Sequence, residues 1–133
     1  MLDNLQIGDT FTLTRTVEEK YCTRRGEYQI FSTPDLVLFI EETAIAALAS
    51  HLPSHQSSVG TKITVAHVAP TLLGQKVSAV ATVREIDRRK VTFEVDVRDD
   101  IETIGTSTHE RFVVDLDSFG SRLADKKASL APM

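Results

Sequence analysis

The sequence predicts an α+β fold: an antiparallel sheet wrapped around one long central helix. Three observations carry this. Residues 35–52 are apolar around nearly the whole circumference of a helix, which calls for burial on all sides. A strand-like alternation of apolar and polar residues precedes that stretch, and four more follow it. Short polar turns separate the later ones, so successive strands run antiparallel as a meander.

Residues 9–17 set Phe11, Leu13 and Val17 against four threonines, a strand with one apolar face that Arg15 interrupts. Residues 18–27 are polar and read as a loop, and residues 28–31 as a short extended piece. Ser32, Thr33, Pro34 and Asp35 start a helix. A hydroxyl caps its backbone, here assigned to Thr33, and proline suits the first helical position. The helix ends near Leu52, before Pro53. After a polar loop at 54–58, residues 61–69 alternate with Ile63, Val65 and His67 on one face. Residues 71–74 turn. Residues 76–86 place Val77, Ala79, Ala81 and Val83 inward, and 91–97 place Val91, Phe93, Val95 and Val97 inward, across a turn at 87–90. The last strand spans 104–115, with Ile104, Phe112 and Val114 in phase, and a polar tail after Phe119 frays.

At 133 residues the chain has the size of a single domain, 1–133, able to bury a core without disulfides or metal. A hydrophobic share of 41% and a charged share of 26% exclude disorder as the default. A net charge of -4 gives no footprint for nucleic acid or for an anionic membrane surface. No stretch approaches the roughly 20 apolar residues of a membrane span, and no signal peptide is visible, so the chain reads as cytoplasmic. Cys22, the only cysteine, excludes an intramolecular disulfide; Arg24 and Arg25 beside it would lower its pKa, though a lone cysteine in a polar stretch is usually incidental.

Some residues do not fit a pure packing role. Glu41 and Glu42 interrupt the apolar helix, and helical geometry puts neither on a polar face. A carboxylate withdrawn from water needs a partner and makes a catalytic candidate; the competing reading is an ion pair. His67 shares its strand face with Ile63 and Val65. It is a satisfied core histidine or, with a carboxylate nearby, part of an acyl-transfer site. Thr33 either caps the helix or points its hydroxyl at an acyl oxygen, and the two roles compete for one atom. Gly60 permits close backbone approach or a kink. His109, Glu110 and Arg111 read as a solvated or ion-paired strand. No set of histidines has metal-ligand spacing, and there is no phosphate loop, dinucleotide fingerprint or nucleophile elbow.

Three segments together resemble the fluoroacetyl-CoA thioesterase-like family, over roughly residues 8–119. They are Ser32-Thr33-Pro34 with Glu41 on the helix that follows; Val59-Gly60-Thr61 followed by Val65-Ala66-His67; and residues 104–112. The resemblance implies a hotdog-fold homodimer that hydrolyses a short-chain acyl-CoA, with CoA as part of the substrate and no cofactor. Carried over by position, Thr33, Glu41 and His67 form the catalytic set, and Gly60 binds substrate through its backbone. It selects Glu41 over Glu42, which helical geometry leaves open. Glu41 then acts as nucleophile or general base, while helix N–H groups and the Gly60 backbone stabilise the oxyanion. The fluoroacetyl-specific member has an aromatic, apolar lid before the helix; this chain carries Arg24, Arg25, Gly26, Glu27 and Tyr28 there, so a generic short-chain acyl-CoA is the expected substrate. Arg88, Arg89 and Lys90 are candidates for the CoA phosphates. The alternative is a non-catalytic hotdog module that binds an acyl-CoA or another small ligand.

Overall fold

A computed structural model describes Leu2 and residues 4–130. The elements are β1 (Thr10–Thr16), a single 3₁₀ turn (Glu19–Tyr21), β2 (Cys22–Arg25), β3 (Tyr28–Phe31), α1 (Thr33–Ala49), β4 (Gln56–His67), β5 (Lys76–Asp87), β6 (Lys90–Asp99), β7 (Thr103–Asp115) and α2 (Leu116–Ala128). Five strands form an antiparallel sheet in the order β1-β5-β6-β7-β4, and β2 and β3 form a separate ribbon. The expected meander therefore holds for β5, β6 and β7 only. β4 pairs with β7 rather than β5 and occupies one edge of the sheet.

The sheet curls around α1. Leu36, Phe39, Ile40, Thr43, Ala44, Ala47 and Leu48 make one buried stripe on the helix, at the spacing of successive turns. It meets the inward rows of β5 and β6, Val77 through Val83 and Val91 through Val97, all buried as read from the sequence. Burial on all sides does not hold within this chain. Leu38 is 45% and Ile45 43% exposed, on a face that no described residue covers.

Several other expectations change. Residues 22–25 are not loop: they pair with β3, and Gly26 takes φ 61 at the turn, a conformation that favours glycine. Of the tail expected to fray after Phe119, residues 120–128 belong to α2, which has no buried residue, and residues 131–133 lie outside the described residues. The phase of the last strand is reversed over most of its length. Ser107, His109, Arg111 and Val113 point inward, while Phe112 is 42% exposed. Polar residues occupy inward positions there, so an apolar-in rule selects the wrong face.

The cap of α1 is Ser32. Its hydroxyl accepts the Asp35 N–H at 3.1 Å and donates to the Asp35 carboxylate. Thr33 is the first helical residue. Ser32→Ala is expected to cost about 1 kcal/mol of stability, seen as a lower thermal midpoint. Thr33→Ala keeps this cap, so a Ser32→Ala protein melting with the parent would show the cap assignment to be wrong.

Candidate active site

Four side chains from three elements converge beside Gly60. On β7, Arg111 is 3% exposed, and burial lowers its pKa while Glu41 opposes that shift. A guanidinium cannot shed its proton to escape, so it must be satisfied where it lies. Nη1 donates to Glu41 Oε2 at 3.1 Å and to His109 Nε2 at 3.1 Å. Nε donates to Ser58 Oγ at 2.9 Å, and Nη2 to the Ser58 carbonyl at 3.0 Å. His109 is thereby fixed in one tautomer. Arginine has no acceptor, so Nε2 accepts, and Nδ1–H donates to the Lys62 carbonyl at 2.9 Å. Burial is the main cause that holds His109 below the ordinary histidine pKa.

The local geometry follows from two features of β4. A bulge between Gly60 and Lys62 leaves Thr61 outside the ladder, and the Lys62 carbonyl bonds the His109 ring. Gly60, opposite Arg111 in the ladder, makes room. A Cβ there would lie 2.6 Å from Glu41 Oε2, 3.2 Å from Arg111 Nη1 and 3.3 Å from the His109 ring. The backbone at Gly60 does not need a positive φ; it needs the absence of a side chain.

Glu42, the neighbour that helical geometry left undistinguished, turns towards β1. Its carboxylate accepts from Arg15 Nη2 at 2.7 Å, and the Arg15 guanidinium lies over the Phe39 and Tyr21 rings. Glu41 is paired too, and both carboxylates keep side chains 39% exposed; what separates them is place, since Glu41 lies against Gly60 and the buried Arg111, and its Oε1 accepts nothing from the described residues. It is both held and reachable.

Thr33 and His67 form a second cluster. The Thr33 hydroxyl lies 2.8 Å from His67 Nδ1. With Ser32 as the cap, the two roles weighed for Thr33 no longer compete. Among the leading N–H groups of α1, Ser32 donates to the Tyr21 carbonyl, Pro34 has none and Asp35 donates to Ser32. Only the Thr33 N–H is left without a partner among the described residues. His67 Nε2 is buried and likewise unpartnered among them. Burial pushes the His67 pKa below 6.5, with the Ala69 backbone opposing in part.

The two clusters stand apart. Thr33 and Glu41 are eight residues apart on α1, about 12 Å along the axis. Gly60 pairs with Arg111 and His67 with Gly105, which separates Gly60 from His67 by about 20 Å along the strand. The structure therefore joins Thr33 to His67 and Glu41 to Gly60, but not all four. Sequence reasoning missed Arg111, His109 and Ser58; the inward phase of β7 would have revealed the first two.

Other candidates lose weight. Cys22 is half-buried, and its pKa is raised by desolvation, then by Asp35 and Glu19, the opposite of the shift expected from its arginine neighbours. Arg88 and Arg89 pair with Asp87 and Asp115 at an exposed turn. No metal-binding group of His, Cys, Asp or Glu occurs among the described residues, and none of their helices is long and apolar enough to cross a membrane.

Comparisons with known proteins identify the family and the fold. Residues 12–117 match the family model described as fluoroacetyl-CoA-specific thioesterase. A fluoroacetyl-CoA thioesterase from Streptantibioticus cattleyicolor is 30% identical over 135 residues, covering 95% of this chain and 97% of that one. A crystal structure of a fluoroacetyl-CoA thioesterase superposes with a TM-score of 0.85 at 29% identity, over 93% of this chain and 98% of the other. A hot-dog-like protein from Thermanaerovibrio acidaminovorans superposes with a TM-score of 0.83 at 23% identity, over 90% and 91% of the two chains, which shows the shared hotdog fold.

Two outcomes test the site. Gly60→Ala should displace the Glu41 carboxylate from Arg111, cutting turnover at least tenfold and lowering the thermal midpoint; a rate and a midpoint equal to the parent's would show that the close approach is immaterial. Second, the folded pKa values of His67 and His109 lie below 6.5. The unfolded chain therefore binds more protons just below that pH, and stability should fall as pH drops from about 7 through the folded values. The depressed Asp99 and Asp115 act in a separate window, starting below 3.8. Denaturant titrations of parent and His109→Gln would read this; identical slopes between pH 7 and 5 would exclude His109 as a contributor.

Proposed function

The chain belongs to the fluoroacetyl-CoA-specific thioesterase family, and we propose that it is a single-domain hydrolase converting a short-chain acyl-CoA and water to the free acid and CoA. The observation that carries this reading is the anchored but accessible Glu41. Its Oε1 is the reacting oxygen, as nucleophile towards the thioester carbonyl carbon or as base towards a water. His67, set by Thr33, gives its Nε2 proton to the departing thiolate and regains one from the water that is consumed. The Thr33 N–H is a donor for the oxyanion. No cofactor takes part, and CoA leaves as product. An acyl-CoA substrate and a lone half-buried cysteine suit the cytoplasm.

We also propose a homodimer whose two active sites are shared. β4 presents a free edge, flanked on α1 by exposed Leu38 and Ile45. Antiparallel pairing of two β4 edges, with the two-fold axis at Thr64, sets Gly60 of one protomer opposite His67 of its partner. Glu41 of one chain then meets Thr33 and His67 of the other, and the unpartnered Nε2 gains a carboxylate or a substrate atom. This accounts for two half-sites that are separate within a protomer. A relative crystallised with fluoroacetate and CoA, 29% identical with a TM-score of 0.81 over 86% of this chain and 99% of that one, supports a thioester-sized ligand in this fold.

Thiol release from a panel of short acyl-CoAs tests the activity. Glu41→Gln should lose at least a hundredfold in kcat, while Glu42→Gln keeps most of it. An equal loss in both, or no turnover by the parent, would remove Glu41 from the chemistry. Mixing inactive Glu41→Gln and His67→Ala protomers tests the sharing. Random exchange regenerates one complete site in each mixed dimer, about a quarter of parental activity. No recovery after verified exchange would place both residues in one chain's site.

A further inference from the structure

Among the described residues of one protomer, the cleft over Thr33 and His67 is lined by a single charge, and that charge has no counter-ion. This cleft, about 500 Å³, lies between the start of α1, the segment after His67 and the underside of the β2–β3 ribbon. Alternation along β2 sends Cys22 to the core and turns Thr23 and Arg25 to the cleft. Arg25 is the only charged residue among those lining it; no Asp or Glu does so. Arg15, Arg84, Arg89 and Arg111 each hold a carboxylate. Arg25 forms no ion pair among the described residues and donates only to the Arg24 carbonyl, at 2.8 Å. Its guanidinium is thus held to the ribbon by the backbone while most of its donors stay open.

We propose that Arg25 binds an anionic group of the substrate as the thioester enters the Thr33–His67 cleft. This rests on the thioesterase reading and adds to it a substrate class. The anion is a carboxylate at the far end of the acyl group or a phosphate of CoA. Both present the planar or tripodal oxygens that a guanidinium grips with paired hydrogen bonds. Because Arg25 lies on the exposed ribbon and supports no core contact, replacing it leaves the fold intact.

The test is steady-state kinetics of the parent, Arg25→Gln and Arg25→Lys with four esters: propionyl-CoA, succinyl-CoA and their pantetheine counterparts. Arg25→Gln should raise KM about three- to tenfold for every ester that carries the contacted anion, with Arg25→Lys recovering part of the loss. A rise confined to the two succinyl esters assigns the anion to the acyl carboxylate. A rise confined to the two CoA esters assigns it to a phosphate. An unchanged KM, or the same rise for all four, overturns the proposal. If the parent turns over none of the four, the thioesterase reading fails separately. The intact esters are then titrated calorimetrically, and a Kd that does not respond to Arg25→Gln overturns the anion site as well.

Discussion

The arrangement depends on a buried guanidinium that cannot be neutralised. Arg111 lies in the sheet interior, where an unsatisfied charge costs far more than a typical contact returns. Its four hydrogen bonds reach β4 through Ser58, β7 through His109 and α1 through Glu41. The register of the edge strand, the tautomer of a core histidine and the position of a half-exposed carboxylate are therefore one problem with one solution. Shifting β4 by one residue would remove Ser58 from Arg111 and set a side chain where Gly60 admits the glutamate. Such an ion pair is weak evidence for stability; here it specifies geometry.

At the N-terminus of α1, neighbouring hydroxyls divide the work. Ser32 takes the cap and holds Asp35, so the Thr33 hydroxyl and N–H remain for His67 and for a ligand. Pro34, which follows them, contributes no donor, which leaves one N–H at this helix end without a partner among the described residues rather than several. Hydrogen-bond accounting of this kind narrows an oxyanion site more sharply than a helix dipole does, because it names the atom.

Much of this was legible in the sequence. Val77 through Val83 and Val91 through Val97 alternate without interruption, so β5 and β6 were read with the right face inward. The family resemblance selected Glu41 over Glu42; in the structure each carboxylate meets an arginine, Glu41 the buried Arg111 beside Gly60 and Glu42 Arg15 on the β1 side. What escaped has a common cause. Ser107, His109 and Arg111 are polar at inward positions, so hydrophobic periodicity preferred Phe112 and turned β7 over. Residues 28–31 were read as extended, but their partner β2 was hidden by its charge, since a strand that faces a cleft need not be apolar. The edge position of β4 depends on a long-range crossover that no local pattern encodes.

The direction of the bonds around His109 has a further consequence. Arg111 donates to Nε2, and Nδ1–H donates to the Lys62 carbonyl. A proton wire needs every member both to accept and to release, and a guanidinium accepts nothing. The interior behind Glu41 is thus electrically coupled to the carboxylate but insulated for protons. Any proton gained or lost by Glu41 travels through its open side, and the core of the sheet behaves as a fixed source of field.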